Sequence, residues 1–474
     1  MLIFNYILSF LAWFFIVYAG SVFISYLALI VLSGIETIGH FKKNSFVNYN
    51  DILSSPMSPS ISVIAPAYNE GLNIVDNVRS LLSNHYVNYE VIIVNDGSKD
   101  DSMELLITAY DLEKINFLVD AQIPTKKVRG VYKSKNPAFE KLMIVDKENG
   151  GKADALNTGL NISNSRYVAC IDVDCLLVED SLQKMIKPFL DYTDRKVIAT
   201  GGVIRIANSC EIRDGKLIQV NLPKKLIERV QILEYIRAFL IGRMAWSRLN
   251  GLLVISGAFG IFDKDIAIAA GGYDTKTVGE DMEIIVRMRK FMQDLNRPYK
   301  VAYIPDPLCW TEAPDNYKVL ISQRNRWARG TIETLKIHKD ICFNPKYKSL
   351  GLLSYPFWLI YERLAPLIEI SGIIYFIILI STGKVHMRFT LPLLITAYFI
   401  SVLFSIMALL MEDLTYHQYK KKRDIFNLIL TAILEPFVFH PFMLWAALKG
   451  NIDKWTGKKI GWGTMTRKGL GSGK

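Results

Sequence analysis

Several features that mark other protein classes are scarce or missing in this chain of 474 residues. The dinucleotide fingerprint GxGxxG does not follow the first predicted strand, and the P-loop pattern GxxxxGK[ST] is absent, so neither nucleotide site is supported. The five cysteines are scattered and form no CxxC pair, which argues against a disulfide framework or a zinc site and fits free thiols in the cytosol. These cysteines are Cys170, Cys175, Cys210, Cys309 and Cys342.

Charged residues are missing from the first 35 positions, and the stretch from about Leu8 to Leu32 is nearly all apolar. About 20 apolar residues suffice to cross a membrane, so residues 1–35 are predicted to be an N-terminal transmembrane segment. A signal peptide fits less well, because no basic residue precedes the run and no clear cleavage site follows it. Lys42 and Lys43 come directly afterwards, and the positive-inside rule then places the following domain in the cytosol.

Hydrophobic residues make up 51% of the chain, and its net charge is +11. This composition favours membrane spans with cytosolic loops held against anionic lipid over a nucleic-acid-binding protein. Residues 345–450 turn apolar again and are predicted to form interfacial and transmembrane helices. Phe389 to Met411 is uncharged and is predicted to cross the membrane, and Leu364 to Thr382 is predicted to be another span, although Glu369 lies within it.

The segment from Ile425 to Leu448 has two interpretations, a plain span or a re-entrant or interfacial pair of short helices. It contains Glu435-Pro436 and His440-Pro441. A carboxylate at mid-membrane costs about 2.5–3.5 kcal/mol, and each proline removes a helix hydrogen bond. Basic residues in the preceding loop and in the tail of residues 451–474 favour the pair, because both flanks then stay in the cytosol.

Residues 55–340 are predicted to form one cytosolic α/β domain. From residue 61 to about 200, short apolar runs alternate with helical patterns, which is typical of a parallel sheet with helices on both faces. Ligands bind such sheets at the carboxyl ends of the strands. The predicted strands are Ile61–Ala65, Tyr89–Val94, Lys141–Val145 and Tyr167–Ile171, and the predicted helices are Asn73–Asn84, one from about Asp101, and Ala153–Ile162.

Polar residues concentrate where these strands end. Tyr68 and Glu70 follow the first strand, and Asp96 follows the second, where an acid can accept hydrogen bonds from a nucleobase or ribose. The alternative for Asp96 is an Asp-Gly turn. Asp172 and Asp174 follow a later strand, where they can share Mg²⁺ or Mn²⁺ that bridges a diphosphate, or can be solvated turn acids.

Three further motifs each have a chemical and a structural interpretation. Lys152 follows two glycines and precedes a helix, which suits either a phosphate or an ordinary glycine-rich loop. Glu280 and Asp281 either supply a general base for a sugar hydroxyl or are simply favoured at a helix N-terminus. The segment from Gln323 to Trp327 either clamps a diphosphate and covers a sugar ring or is a basic amphipathic helix at the membrane surface.

Residues 224–250 mix basic side chains with an apolar stripe that contains the aromatic residues. This pattern predicts a basic helix lying in the membrane interface. A nucleic-acid-binding face is the weaker interpretation, because the aromatic side chains do not lie among the basic ones. No nucleic acid is therefore expected among the partners.

The order of these motifs resembles the processive family 2 glycosyltransferases, which are the synthases of cellulose, chitin, hyaluronan and poly-N-acetylglucosamine. The resemblance covers about residues 60–340, and QxxRW is its most specific element because it marks the processive members. A single N-terminal span before the catalytic domain is most similar to the poly-N-acetylglucosamine synthase type. The motifs are Pro66-Ala-Tyr-Asn-Glu70, Asn95-Asp-Gly-Ser98, Gly151-Lys-Ala-Asp-Ala-Leu-Asn157, Asp172-Val-Asp174, Ser256-Gly-Ala-Phe-Gly260, Gly279-Glu-Asp281 and Gln323-Arg-Asn-Arg-Trp327.

The resemblance implies a GT-A fold, a Rossmann-like nucleotide-sugar-binding domain, and a role for each motif at the donor. Asp96 would bind the base of UDP, and Lys152 would hold the nucleotide. Asp172 and Asp174 would form the site for Mg²⁺ or Mn²⁺, with Asp174 as the direct ligand. The side chains implied beside the base are Tyr68 and Glu70.

The resemblance also implies roles at the acceptor. Asp281 would be the catalytic base for the acceptor hydroxyl, with Glu280 next to it at the substrate. Gly257 would lie near the acceptor sugar. The residues that would hold the diphosphate and the acceptor end are Gln323, Arg326 and Trp327.

The implied chemistry is inverting, an in-line attack on an α-linked UDP-sugar that gives a β-linkage. The implied enzyme is a multi-pass protein of the plasma (inner) membrane with a cytosolic catalytic domain. It would polymerise a UDP-sugar, UDP-N-acetylglucosamine first and UDP-glucose next, and thread the polysaccharide outward through a narrow channel. Its partners would be the donor, the growing polysaccharide, membrane lipid and small membrane or export subunits.

Three other functions remain open. The first is a glycosyltransferase that adds a single sugar to a lipid carrier, and the QxxRW motif argues against it. The second is a catalytically dead membrane scaffold, which the intact set of acidic residues argues against. The third is a transporter, which the small number of predicted spans makes a poor fit. Two segments also depart from the pattern of the family. The stretch from Asp120 to Glu140 is longer and more basic than compact members need, and the segment around Glu435-Pro436 and His440-Pro441 differs from a plain span.

Overall fold

The computed structural model describes residues 2–47, 58–192, 194–213, 215–385 and 387–457. The beginning of the predicted cytosolic domain, up to residue 57, and the basic tail from residue 458 onward lie outside the described residues. The strands are β1 Ile61–Ala67, β2 Tyr89–Asn95, β3 Leu112–Ile115, β4 Val128–Ser134, β5 Leu142–Lys147, β6 Tyr167–Ile171, β7 Leu176–Leu177, β8 Lys196–Ile206, β9 Glu211–Arg213, β10 Lys216–Gln219, β11 Phe259–Asp263 and β12 Tyr299–Thr311.

The helices surround the sheet and continue into the apolar C-terminal part. Two of them are extended by π-helical segments. Ile236–Arg243 follows the helix Leu226–Tyr235, and Leu350–Ser354 and Trp358–Arg363 flank the helix Tyr355–Phe357. The helices are α1 Leu2–Asn44, α2 Ile74–Leu82, α3 Ser102–Tyr110, α4 Lys152–Ile162, α5 Ser181–Asp191, α6 Leu226–Tyr235, α7 Met244–Arg248, α8 Lys264–Ala269, α9 Glu280–Asp294, α10 Tyr317–Ile337, α11 Tyr355–Phe357, α12 Ala365–Ser381, α13 Met387–Thr415, α14 Lys422–Val438 and α15 His440–Trp455.

The main sheet has ten strands in the order β3-β4-β5-β2-β1-β6-β11-β8-β12-β7. The central strands β5, β2, β1 and β6 are mutually parallel, and their continuous valine and isoleucine runs fit strands covered on both faces. On either side, β4 and β11 run antiparallel to the strands they join. The prediction of a parallel sheet is therefore right for these four strands and wrong for the flanks, which makes the sheet mixed.

The basic stretch between Asp120 and Glu140 supplies the flanking strand β4, which pairs with β5. Its Arg129 guanidinium donates to Asp146 Oδ1 at 2.9 Å and to the Lys147 carbonyl at 2.7 Å. The extra length therefore widens the sheet and braces the carboxyl end of β5.

Within the part of the chain that the structure describes, two helices, α1 and α13, are long and apolar enough to cross a membrane, and two bent pairs bring the number to four if each pair is one span. The helix α1 continues past the predicted segment to Asn44, with Lys42 and Lys43 in its last turn. The predicted span from Leu364 to Thr382 corresponds to α12, which follows a bend of 43°.

The segment between Ile425 and Leu448 is divided at Phe439 into α14 and α15, which meet at 50°. Pro441 lies in the first turn of α15, where the missing N–H of proline is tolerated. This bend is the geometry of either a broken span or a re-entrant pair.

Charged side chains join the C-terminal helices to the α/β domain. Arg237, in the π-helical segment after α6, donates to Glu435 Oε2 on α14 at 2.6 Å and to Ser405 Oγ on α13 at 2.5 Å. Arg205 at the end of β8 forms a buried pair with Glu412 on α13. Because separating a buried pair leaves uncompensated charge, these contacts hold α13 and α14 at one position on the domain.

Candidate active site

One cavity of about 3240 Å³ contains every site residue predicted from the sequence. It begins at the carboxyl ends of the central strands and continues between α1, α12 and α13. The predicted residues on its wall are Tyr68, Glu70, Asp96, Lys152, Asp172, Asp174, Gly257, Glu280, Asp281, Gln323, Arg326 and Trp327. The cavity therefore joins segments that lie more than 200 residues apart in the chain.

Lys152 is the centre of the charged cluster in this cavity. It is the first residue of α4, directly after Gly151, whose φ of 89° favours glycine. Its ammonium pairs with the Asp172 carboxylate and lies 3.3 Å from Glu280 Oε1. Burial alone would lower the pKa of Lys152, but the charges of Asp172 and Glu280 outweigh it and raise the pKa. This lysine is consequently a fixed cation at the strand ends.

Asp281 lies in the first turn of α9 and is half-exposed to the cavity. Its Oδ2 accepts from the Gly257 backbone N–H at 3.2 Å, and its Oδ1 accepts from the Met282 N–H at 2.9 Å. A Cβ on Gly257 would lie 2.9 Å from Lys152 Nζ, so a larger residue there would displace the end of the lysine side chain. Both carboxylate oxygens are thus oriented by backbone amides, one from the loop before β11 and one from the first turn of α9.

Glu280 differs from its neighbour because its side chain is buried. Burial is the main cause that raises the pKa of Glu280, and the nearby Asp281 charge adds to it, whereas Lys152 opposes it. The adjacent carboxyl groups therefore have different environments, and Asp281 is the more accessible of the two to a ligand in the cavity.

Asp96 is almost fully buried, and its carboxylate is largely used within the protein. Oδ1 accepts from Lys147 Nζ at 2.7 Å and from the Gly150 N–H at 2.9 Å, while Oδ2 accepts from the Gly151 N–H at 2.7 Å. A carboxylate offers about four acceptor sites, so room for about one further contact remains. Asp96 holds the glycine loop in front of Lys152, a role that its Asp-Gly turn does not indicate.

Tyr68 and Glu70 belong to the loop after β1, which is tied to the loop after β2. The Asn69 N–H donates to Ser98 Oγ at 3.0 Å, and the Lys99 N–H donates to Asn69 Oδ1 at 2.8 Å. Asn69 has a positive φ of 56°, which asparagine tolerates. The Tyr68 side chain remains 44% exposed, on the cavity wall.

The QxxRW motif lies on α10, and Arg324 within the motif holds its neighbouring side chains in place. The Arg324 guanidinium stacks over the Trp327 ring at 3.9 Å, donates to Gln323 Oε1 at 2.8 Å and pairs with Glu234 at 2.6 Å. Arg324 is 4% exposed, whereas Trp327 is 43% exposed. Arg324 therefore orients the two predicted ligand-binding side chains beside it.

Asp172 and Asp174 lie in a turn after β6, where the Cys175 N–H donates to the Asp172 carbonyl at 2.9 Å. They reach the same cavity through this turn, beyond the extended part of the chain. Among the described residues, no three His, Cys, Asp or Glu side chains form a metal cluster. Two carboxylates nevertheless fit a hard cation such as Mg²⁺ or Mn²⁺ that takes its other oxygen ligands from a diphosphate.

The mixed α/β sheet, with charged side chains at the carboxyl ends of its central strands, defines a GT-A-type transferase. Residues 59–330 match the family model described as glycosyltransferase like family 2, and residues 277–447 match a chitin synthase model. The first match covers more than half of the chain, so the chain belongs to glycosyltransferase family 2. The predicted family, fold class and enzyme class are confirmed.

Similar proteins carry the name poly-beta-1,6-N-acetyl-D-glucosamine synthase. One from Staphylococcus epidermidis is 27% identical over 81% of this chain and 80% of that protein. One from Staphylococcus epidermidis RP62A is 30% identical over 65% of this chain and 61% of that protein. One from Staphylococcus aureus COL is 31% identical over 58% of this chain and 55% of that protein. The last two alignments therefore span less than two thirds of the relatives' own length.

A solved mannosyltransferase, PcManGT from Pyrobaculum calidifontis in complex with GDP-Man and Mn²⁺, shares the fold. Its TM-score is 0.50 at 18% identity, and the match covers 91% of this chain and all of that one. At this identity the likeness supports the architecture alone.

Proposed function

We propose that this protein is a membrane-bound, processive and inverting glycosyltransferase that polymerises a UDP-sugar into a β-linked polysaccharide and exports it. UDP-N-acetylglucosamine is the leading donor, because the similar proteins are named for a polymer of N-acetylglucosamine. The observation that carries the proposal is the single cavity that contains both the charged cluster at the strand ends and the walls of α1, α12 and α13.

The donor would lie across the carboxyl ends of the central strands. Tyr68 and Glu70 face the cavity beside Asp96, whose remaining acceptor site suits one N–H of the nucleobase. The Lys152 ammonium would meet the diphosphate, and its raised pKa keeps it charged. Lys152 would then exchange part of its pairing with Asp172 for oxygens of the bound diphosphate.

Asp172 and Asp174 are the residues that would hold Mg²⁺ or Mn²⁺, which neutralises developing charge on a leaving diphosphate. Their oxygen ligands suit such a cation, and the mannosyltransferase of the same fold contains Mn²⁺ in its own complex.

Asp281 would act as the general base. It accepts the proton of the acceptor hydroxyl while that oxygen forms a bond to the anomeric carbon of the donor. The bond from this carbon to the diphosphate breaks on the opposite side, and UDP leaves with the bonding electrons, which inverts the α-linkage to β. The Gly257 and Met282 amides hold the carboxylate in the orientation needed for this transfer. Glu280 lies beside it, and Gln323, Arg326 and Trp327 would hold the diphosphate and the acceptor end.

Export is supported by the length of the cavity. It follows α1 from Asn5 to Ile30, a helical rise of roughly 37 Å, which exceeds the roughly 30 Å of a hydrocarbon core. A chain growing at Asp281 would therefore enter a passage between the membrane helices. We place the protein in the plasma (inner) membrane as a multi-pass enzyme, with residues 58–340 in the cytosol and the outer faces of its helices in lipid. Small membrane or export subunits are further candidate partners.

Purified protein in detergent should release UDP from one member of a panel of UDP-sugars in the presence of Mn²⁺ or Mg²⁺. Asp281→Asn should lower turnover about 10²–10⁴-fold, because the proton acceptor is lost. A product of one added sugar on a lipid would support the single-transfer alternative. No release from any donor, with candidate partner subunits supplied, would contradict the proposal and favour a scaffold.

A further inference from the structure

The C-terminal helix α15 packs against α10, and both helices contribute residues to the cavity wall. Asn325 Nδ2 on α10 donates to Asp453 Oδ2 on α15 at 2.9 Å. A Cβ on Gly450 would lie 3.0 Å from Ala328 Cβ, so the two helices approach closely there. The helix that carries QxxRW is therefore held in place by α15.

Glu333 lies in the last turns of α10 and joins three parts of the chain. Its Oε1 accepts from Lys454 Nζ on α15 at 2.7 Å. Its Oε2 accepts from Thr277 Oγ1 and from the Val278 N–H, both at 3.0 Å. Burial would raise the pKa of Glu333, but the hydrogen bonds from Lys454, Val278 and Thr277 outweigh it and lower the pKa.

The segment that Glu333 binds leads directly to the candidate catalytic base. Thr277 Oγ1 also accepts from the Gly279 N–H at 3.2 Å. Gly279 touches the backbone of α10, since a Cβ on Gly330 would lie 2.8 Å from Gly279 Cα. Asp281 follows two residues later, in the first turn of α9. A shift of this segment therefore displaces the Asp281 carboxylate relative to the cavity.

We propose that Glu333 is a positioning residue that links α15, through Lys454, to the loop that places Asp281. The inference rests on the proposed function of Asp281 as the base. Glu333 does not line the cavity itself, so it acts through Thr277 and Gly279 and not by contact with a substrate. The C-terminal helix pair is thus part of the catalytic unit as well as of the membrane anchor.

Thr277 offers a matched pair of variants. Thr277→Val keeps the shape of the side chain and removes the hydroxyl, whereas Thr277→Ser keeps both hydrogen bonds. Because a displacement of about 1 Å can cost about 10²-fold in rate, Thr277→Val should lower kcat about 10- to 100-fold with the donor KM within about twofold of wild type. Thr277→Ser should retain kcat within about threefold.

A double-mutant cycle tests the link through Glu333. Lys454→Met should also lower kcat, and its effect should be smaller when Thr277→Val is already present, because both act on one carboxylate. Glu333→Gln is the second probe, and hydrogen exchange should be faster in residues 274–283 of this variant than in wild type. This exchange measurement is independent of turnover.

The outcomes separate the two proposals. If wild-type protein turns over no nucleotide sugar, the proposed function fails and this inference with it. If wild-type protein is active and Thr277→Val matches it, only the positioning role is contradicted. The positioning role would also be overturned if Thr277→Val and Thr277→Ser lost the same amount of kcat, or if the effects of Lys454→Met and Thr277→Val on kcat were additive. Unchanged hydrogen exchange in residues 274–283 of Glu333→Gln would overturn it as well.

Discussion

Lys147 is a fully buried lysine beneath the glycine loop, and its replacement by methionine gives a sharp test of the site's construction. Its ammonium donates to Asp96 Oδ1 at 2.7 Å and to the Glu148 carbonyl at 2.7 Å, and it pairs with Asp154 Oδ1 at 2.6 Å. Lys147→Met keeps most of the side-chain volume and removes this charge. Two carboxylates are then left without their shared cation.

The expected loss in the free energy of unfolding follows from the burial of both carboxylates. The Asp96 side chain is 4% exposed and the Asp154 side chain is 9% exposed. Removing one partner of a buried ion pair costs about 3–5 kcal/mol. The Gly150 and Gly151 amides still donate to Asp96, and the Lys126 amide to Asp154, so we expect the lower end, about 3 kcal/mol. In a domain of this size, with an unfolding entropy of about 2.1 cal/mol/K per residue, that corresponds to a decrease in Tm of about 5 °C.

The assay is thermal unfolding of the purified protein in detergent at one fixed scan rate, because unfolding of such proteins is often irreversible. Lys133→Met, at an exposed position on β4, is the matched control and should leave Tm within about 2 °C. Adding Asp154→Asn to Lys147→Met should restore part of the loss, since it removes one of the uncompensated charges. A Tm for Lys147→Met equal to that of the Lys133 control would refute the structural role assigned to this lysine.

Three further outcomes are expected. Gly330→Ala should lower kcat at least tenfold, since its Cβ would meet Gly279 Cα at 2.8 Å; wild-type kcat would contradict the close packing of these backbones. Arg324→Met should raise the donor KM and weaken acceptor use, because the cation that orients Gln323 and Trp327 is lost; an unchanged donor KM together with an unchanged acceptor dependence would count against it. The raised pKa of Lys152 keeps it charged as pH rises, so the donor KM should stay constant from about pH 7 to 10, and an increase over that range would contradict its role.

The parts of the fold that could be predicted from the sequence are those with a local signal. The runs at Ile61, Tyr89 and Tyr167 are short, apolar and followed by polar turns, and each is a central strand. The break near Pro441 also has a local cause. The direction of the flanking strands has no local signal in the sequence. Whether β11 joins β6 in parallel or antiparallel fashion depends on the path of the intervening chain.

The same distinction separates the predicted site residues from those that were missed. Asp172 and Asp281 belong to motifs with recognisable neighbours, and the structure brings them into one cavity. Lys147 and Glu333 act through partners 51 and 121 residues away in the sequence, and a single sequence carries no signal for such pairs. Asp96 shows the same effect, because its three donors lie more than 50 residues further along the chain.

The most direct test of the central claim is the size of the product at low conversion. Protein in lipid vesicles would be given labelled UDP-N-acetylglucosamine with Mn²⁺ and stopped when only a few per cent of the donor is consumed. A processive enzyme whose cavity holds the growing chain predicts long polysaccharide at this stage, with most of the donor unused and no product in Asp281→Asn. A population of single-sugar or uniformly short products would contradict processive polymerisation.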